Sequence, residues 1–205
     1  MNTRKQLFDH IKDTLANDEI SDHALMNTVS MVEAEANRNL RCTEMVLCTH
    51  ATTEQNVDKY ALPNDYLQMI DIELDGESIP YITPQSSDKH TRNKYYPRYT
   101  IIGGWLKIFP TPAVDSPKPN NILLWYYNRI PPLGGEHIKN QINETNWLLN
   151  KHYDYYFYAM LIQMELYTAD DERAEKWKIL LDQVTEQINK LGVDEILSGS
   201  ELNFE

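Results

Sequence analysis

The stretch Trp147–Thr168, WLLNKHYDYYFYAMLIQMELYT, constrains the chain more than any other. At helical period Leu149, Tyr153, Tyr156, Met160, Met164 and Tyr167 fall on one face. Leu148, Tyr155, Ala159, Ile162 and Leu166 make a second stripe beside it, so the apolar arc is wide. Asn150, Lys151, Asp154, Gln163 and Glu165 leave a narrow wet edge. A helix of this kind must be covered on several sides. It is long enough to span a bilayer, but its charges argue against that. The expectation is a buried helix of a soluble protein, with no membrane partner.

Two helices are expected before it. Residues 4–16 carry Leu7, Ile11 and Leu15 four apart. Ser21 is placed to cap a second helix over 22–41, striped by Leu25, Val29, Val32, Ala36 and Leu40. Arg38 and Arg41 near its end suit the helix dipole and need no other role. After the central helix, Ala174, Trp177, Leu181, Val184, Ile188 and Leu191 form the seam of a fourth helix. Thr168 to Asp171 resembles its capping box, and Gly192 sits where a C-terminal stop belongs. The two long helices are expected to pair antiparallel.

From Thr43 the period changes to two. Strands are expected from 43 to about 50, over Leu67–Leu74, Ser78–Ile82, Tyr99–Ile102, Trp105–Phe109 and Asn121–Ile130. Asp75-Gly76 and Gly103-Gly104 are hairpin turns. The fold class is therefore α+β: an antiparallel bundle of about four helices, with an inserted antiparallel sheet region of two hairpins plus one further strand or more. Its divisions are residues 1–42 (N-terminal helices), 43–131 (inserted β-rich region), 132–192 (C-terminal helix pair) and 193–205 (C-terminal arm). Residues 133–146 read as a polar loop.

The arm, VDEILSGSELNFE, mixes acids with Val193, Ile196, Leu197, Leu202 and Phe204. Such a segment has no packing face of its own, so it is expected to be disordered or docked on a partner. Those five residues are the candidate site for docking on a partner.

Few chemical functions are compatible with the rest. Nineteen basic residues against thirty-one acidic ones give a net charge of −12, unsuited to gripping phosphate backbones. Cys42 and Cys48 fit neither a zinc pattern nor a disulfide framework. No signal peptide or lipidation motif is visible. There is no Walker loop, GxGxxG, GxSxG, HExxH or CxxC. His152 is more readily a hydrogen-bonded core residue than a ligand. Glu136-His137 lies on a flexible loop, which cannot hold a catalytic geometry. Lys89–Arg98 is the one basic–aromatic cluster; it could touch nucleic acid through stacking and charge, but a solvated or subunit-contact loop is the stronger reading in so acidic a chain. No catalytic residue, metal site or cofactor is expected, and no enzyme activity.

The order of segments says more. EAEANRNLR, EMVLCTHATTE, YALPNDYLQMIDIELDG and PYITP are followed by YYPRYTIIGGWLKIFPTP, ILLWYYNRIPPL and NWLL…YYFYAMLIQMELYTADDERAEKW. Over roughly residues 22–190 this resembles the tail-adaptor, or head–tail connector, proteins of tailed bacteriophages. The resemblance implies a structural virion protein, assembled in the host cytoplasm. It implies a homo-oligomeric ring, typically of twelve copies, beneath the portal protein at the head–tail interface. Such a ring extends the DNA channel, lets genomic DNA pass without specific binding, and receives the next tail component, a nozzle or hub protein. Two other classes are compatible with the residues alone: a tail-associated cell-wall hydrolase, and a non-viral soluble interaction module. The first needs a supported carboxylate pair.

Overall fold

Thr3 and Gln6 start the first helix, α1 (Arg4–Leu15), by capping each other: the Gln6 N–H donates to the Thr3 hydroxyl and the Thr3 N–H to the Gln6 side chain. The computed structural model describes residues 2–86, 96–111, 120–134, 136–137, 141–142, 144–168 and 171–200. Ser21 caps α2 (Asp22–Asn39) as expected, accepting the Ala24 N–H. The helix stops at Asn39, two residues before the expected end, because Leu40 is extended (φ −95°, ψ 137°). Asn189 satisfies that end. Its amide donates to the Asn39 carbonyl at 3.0 Å, and its oxygen accepts the Arg41 N–H at 2.8 Å.

The central stretch is two helices, not one: α3 (Trp147–Lys151) and α4 (Tyr153–Thr168). His152 lies between them at φ −132°, ψ 61°. The Tyr155 N–H is taken by the His152 carbonyl and the Asp154 carboxylate, both at 3.1 Å, so the i→i−4 ladder lapses there. The last helix, α5, runs Asp171–Ser200. It lies antiparallel to α4: Arg173 pairs with Glu165 at 3.0 Å, and four residues on Trp177 stacks against Tyr158.

Burial corrects the expected faces. Glu165, assigned to the wet edge, is 2% exposed, whereas Leu166 on the apolar stripe is 52% exposed. Ala174, Leu181, Val184 and Ile188 are buried as the seam requires, but Leu191 is exposed. Gly192 is no stop. The helix continues through it for eight residues, and its Cα faces α2's end so closely that a Cβ would meet the Cys42 Cα at 2.8 Å. The glycine permits close approach of two backbones instead of a left-handed turn. The capping residues expected at 169–170 lie outside the described residues.

The chain divides into two units, Met1–Glu44 with Ile130–Glu205, and Met45–Arg129. The second is the β-rich one. A single 3-10 turn at Thr43–Met45 replaces the start of the expected first strand, and β1 runs Val46–Thr52. Then come β2 (Lys59–Ala61), β3 (Tyr66–Leu74), β4 (Glu77–Ser78), β5 (Arg98–Ile102), β6 (Trp105–Phe109) and β7 (Asn121–Asn128). The two hairpins form where expected. Asp75 and Gly76 both have positive φ (53° and 88°), as do Gly103 and Gly104 (59° and 80°). That geometry matches the twist of the flanking strands. The returning strand at 78–82 is shorter than expected; beyond Ser78 the chain turns to reach β5, with the Tyr99 N–H on the Pro80 carbonyl and the Ile82 N–H on that of Tyr99.

Two antiparallel sheets result, ordered β1-β7-β3-β4 and β2-β6-β5. Ile72, Ile79, Tyr99, Leu106, Ile108, Ile122, Leu124 and Tyr126 form their core. The Tyr126 hydroxyl donates to Asp65 at 3.1 Å and the Arg129 N–H to the Asp65 carbonyl at 2.7 Å. Within the expected loop 133–146, β8 (Glu136–His137) and β9 (Gln141–Ile142) pair antiparallel. The fold class is α+β, as expected.

Candidate functional site

Three features of the helical unit bear on function: the expected docking arm, a buried polar link and an exposed groove. Val193, Ile196 and Leu197 lie in α5, so the first part of the arm is helical. Their spacing of three and four suits one helical face. Leu202 and Phe204 lie outside the described residues. Nothing on the described chain therefore brings the five together.

The polar link arises where the chain re-enters the helical unit through Ile130-Pro131-Pro132-Leu133. The two prolines have no N–H, so this segment offers only two backbone donors, at its ends. Both go to side chains one turn apart on α2. The Ile130 N–H donates to Asn37 at 2.9 Å, and the Leu133 N–H to Glu33 Oε1 at 2.7 Å. Asn146 holds the middle, its amide donating to the Pro131 carbonyl at 2.8 Å. The same amide donates to the Tyr156 hydroxyl at 2.8 Å, and that hydroxyl donates to Glu33 Oε1 at 2.9 Å. Asn146 Oδ1 also caps α3 through the Leu149 N–H at 2.8 Å.

Burial sets the electrostatics of this link. Glu33 is 7% exposed, and desolvation raises its carboxyl to about 7, against the partial opposition of the Leu133 N–H and the Tyr156 hydroxyl. Desolvation and the nearby Glu33 carboxylate push the Tyr156 phenol far above its ordinary range, so it stays a donor. One carboxylate with an amide and a phenol, closed off from solvent, ties elements together. It offers no vacant position for a reacting group.

The sequence reading puts Tyr156 on an apolar face and gives Glu33, Asn37 and Asn146 no role, although a signal exists. Glu33 falls directly beside Val29, Val32 and Ala36 on α2, a carboxylate at the margin of an apolar stripe. Asn37 is one turn further on.

His152 is half-buried, edge-on to Trp147 with ring centres 6.5 Å apart, and desolvation lowers its pKa. Among the described residues no group of three His, Cys, Asp or Glu side chains could hold a metal ion. No described helix is long and apolar enough to cross a membrane. The side chains of Glu136 and His137, and residues 89–95 of the basic–aromatic cluster, lie outside the described residues.

The third feature is a groove of about 930 Å³ bordered by α1, α2, α4 and the start of α5. Leu15, Ile20, Met31, Met164 and Leu166 supply its apolar lining. Met31 is 57% exposed. The Arg173–Glu165 pair lies at one side.

No curated protein matches the chain. The model of the SU10 adaptor protein family matches residues 2–200. That span contains both units and every buried link described above, and the segments that carry the resemblance supply the links themselves. Glu33 and Asn37 stand in EAEANRNLR, Asp65 in LPNDYL, Ile130 to Leu133 in RIPPL, Asn146 in NWLL and Tyr156 in YYFYAM. The chain belongs to the SU10 adaptor family of phage head–tail adaptor proteins.

Proposed function

We propose that this chain is a structural virion protein that assembles as a ring beneath the portal, extends the DNA channel and carries the next tail component. The observation behind this reading is the family match over residues 2–200, both units included. The family resemblance implies twelve copies, and head-to-tail contacts close into a ring if the portal sets the rotation per copy. The net charge of −12 suits a conduit, since an acidic wall repels phosphate and leaves DNA no sticking point. Only charges within about 8 Å of the DNA act on it at physiological salt. Residues 193–205 are the docking arm, seated on the portal or on a neighbouring copy. No catalytic step is assigned to any residue, and no metal or cofactor.

Electron microscopy of the purified protein mixed with portal-bearing heads tests the reading. A ring of density under the portal, in register with the portal subunits, is the expected result. Heads that acquire no such density, or that bind two or three copies irregularly, overturn it.

A further inference from the structure

The docking arm has two possible seats, and the geometry of the helical unit points to one of them. We infer that the groove between α1, α2 and α4 receives the segment around Leu202 and Phe204 of a second copy of this chain, linking neighbours head to tail. This deepens the docking-arm reading and rests on it.

The groove and the arm lie at opposite ends of α5. Arg173, in the first turn, borders the groove, whereas Gly192 packs on Cys42 beyond the far end of α2. The helix is 30 residues long, about 45 Å at 1.5 Å per residue. Phe204 is four residues beyond its end at Ser200, a reach of about 14 Å even when fully extended. A chain therefore cannot place its own Phe204 in its own groove. The groove of a second copy is not subject to that limit.

Chemistry supports the pairing. The lining is aliphatic and thioether: Leu15, Ile20 and Met164 half-buried, Met31 and Leu166 exposed by 57% and 52%. Methionines adapt their shape to an incoming leucine or phenylalanine. Asn17, Asn27 and Gln163 add amide donors along the border, suited to the carbonyls and carboxylates of the segment Glu201-Leu202-Asn203-Phe204-Glu205. Glu165 is paired with Arg173, so among the described lining residues no carboxylate is left uncompensated against this acidic segment. The volume, about 930 Å³, accommodates both large side chains. A contact that joins one end of a copy to the opposite end of the next is heterologous, the kind that closes into a ring when the rotation per copy fits.

Photo-crosslinking of the full chain tests this. Phe204 is replaced by p-benzoylphenylalanine, and equal amounts of nitrogen-14 and nitrogen-15 protein are irradiated together, alone and on portal-bearing heads. Mixed-isotope crosslinks to the peptides containing Met31 or Met164 are expected. Met31→Asp with Leu166→Asp should lower their yield about tenfold, by placing carboxylates in an apolar contact. Ile179→Asp, on an exposed site of α5 outside the groove lining, should leave the yield unchanged. Same-isotope crosslinks alone, crosslinks only to other surfaces or to head proteins, or none in either setting, overturn the proposal. Protein that attaches to heads without groove crosslinks sinks this inference and leaves the adaptor reading standing. Groove crosslinks without attachment do the reverse.

Discussion

The Tyr156 hydroxyl donates to Glu33 Oε1 at 2.9 Å, joining α4 to α2 across 123 positions of sequence. That bond closes a link in which one carboxylate also holds the backbone of Leu133. The chain leaves the helical unit after Glu44 and returns at Ile130, so this link fastens the return. Its titration is measurable.

Glu33 should impose a pH slope on stability. Its carboxyl stands at about 7 in the folded chain, against an ordinary 4.5. Between those values the folded chain holds a proton that the unfolded chain has released. The contribution is therefore fully present below pH 4.5 and is lost as pH rises through 7. The loss approaches about 3 kcal/mol. Urea unfolding from pH 4 to 8 should show wild-type stability falling relative to Glu33→Gln by an amount of this order. Parallel curves for the two proteins would exclude the assignment.

Tyr156→Phe tests the same link from the other side. It removes the donor to Glu33 while leaving the Leu133 N–H and the Asn146–Pro131 bond in place. A hydrogen bond to a charged acceptor contributes about 1.5–3 kcal/mol, and to a neutral one about 0.5–1.5. The substitution should therefore cost more at pH 8, where Glu33 is ionised, than at pH 5. Equal costs at both pH values would place the carboxylate elsewhere.

Gly192→Ala separates two roles for this glycine. In an open helix interior the change would favour the fold by about 1 kcal/mol. Here the new Cβ meets the Cys42 Cα at 2.8 Å and the Arg41 carbonyl oxygen at 3.2 Å, both backbone atoms. Overpacking should reverse the sign and cost about 1–3 kcal/mol. Cys42→Ala should not rescue it, because the clash is with main chain. A stabilised Gly192→Ala protein would mean that the helices separate freely at this point.

The comparison of sequence with structure divides along how local each signal is. Ser21 caps its helix, and Asp75-Gly76 and Gly103-Gly104 make their turns, because each acts within a few residues. The partner of β1 is β7, with Val46 opposite Tyr127, and no local pattern specifies so distant a pairing. Helical periodicity placed Leu25, Val29 and Val32 correctly in the core, yet it reversed Glu165 and Leu166. Periodicity ranks residues by polarity and cannot foresee that Arg173 will cover a buried carboxylate. Gly192 was misread because a glycine near a helix end signals a stop or a close approach equally well. The link through Glu33, Asn37, Asn146 and Tyr156 was invisible for a related reason: each member is ordinary alone, and only the fold brings them together. The segments that carry the family resemblance include all four of these residues, although none of them forms a chemical motif.

Removal of residues 193–205 should separate attachment from stability. The cut preserves Ile188, which is buried, and Gly192 with its contact to Cys42, so the seam between α5 and the rest of the helical unit is retained. The melting temperature should change little. Attachment should weaken, because Val193, Ile196, Leu197, Leu202 and Phe204 are the arm's apolar residues. Docking an arm costs about 1–2 kcal/mol of backbone entropy for each residue that must be ordered. The backbone is already helical to Ser200, which confines that cost to the residues beyond it and favours docking. Repetition around a ring multiplies the effect of each contact. Cosedimentation with portal-bearing heads should therefore show the truncated chain released under conditions that retain the full one. Ile196→Asp with Leu197→Asp should reproduce part of the loss without shortening the helix. Equal retention of the truncated and full-length chains would remove residues 193–205 from the attachment surface.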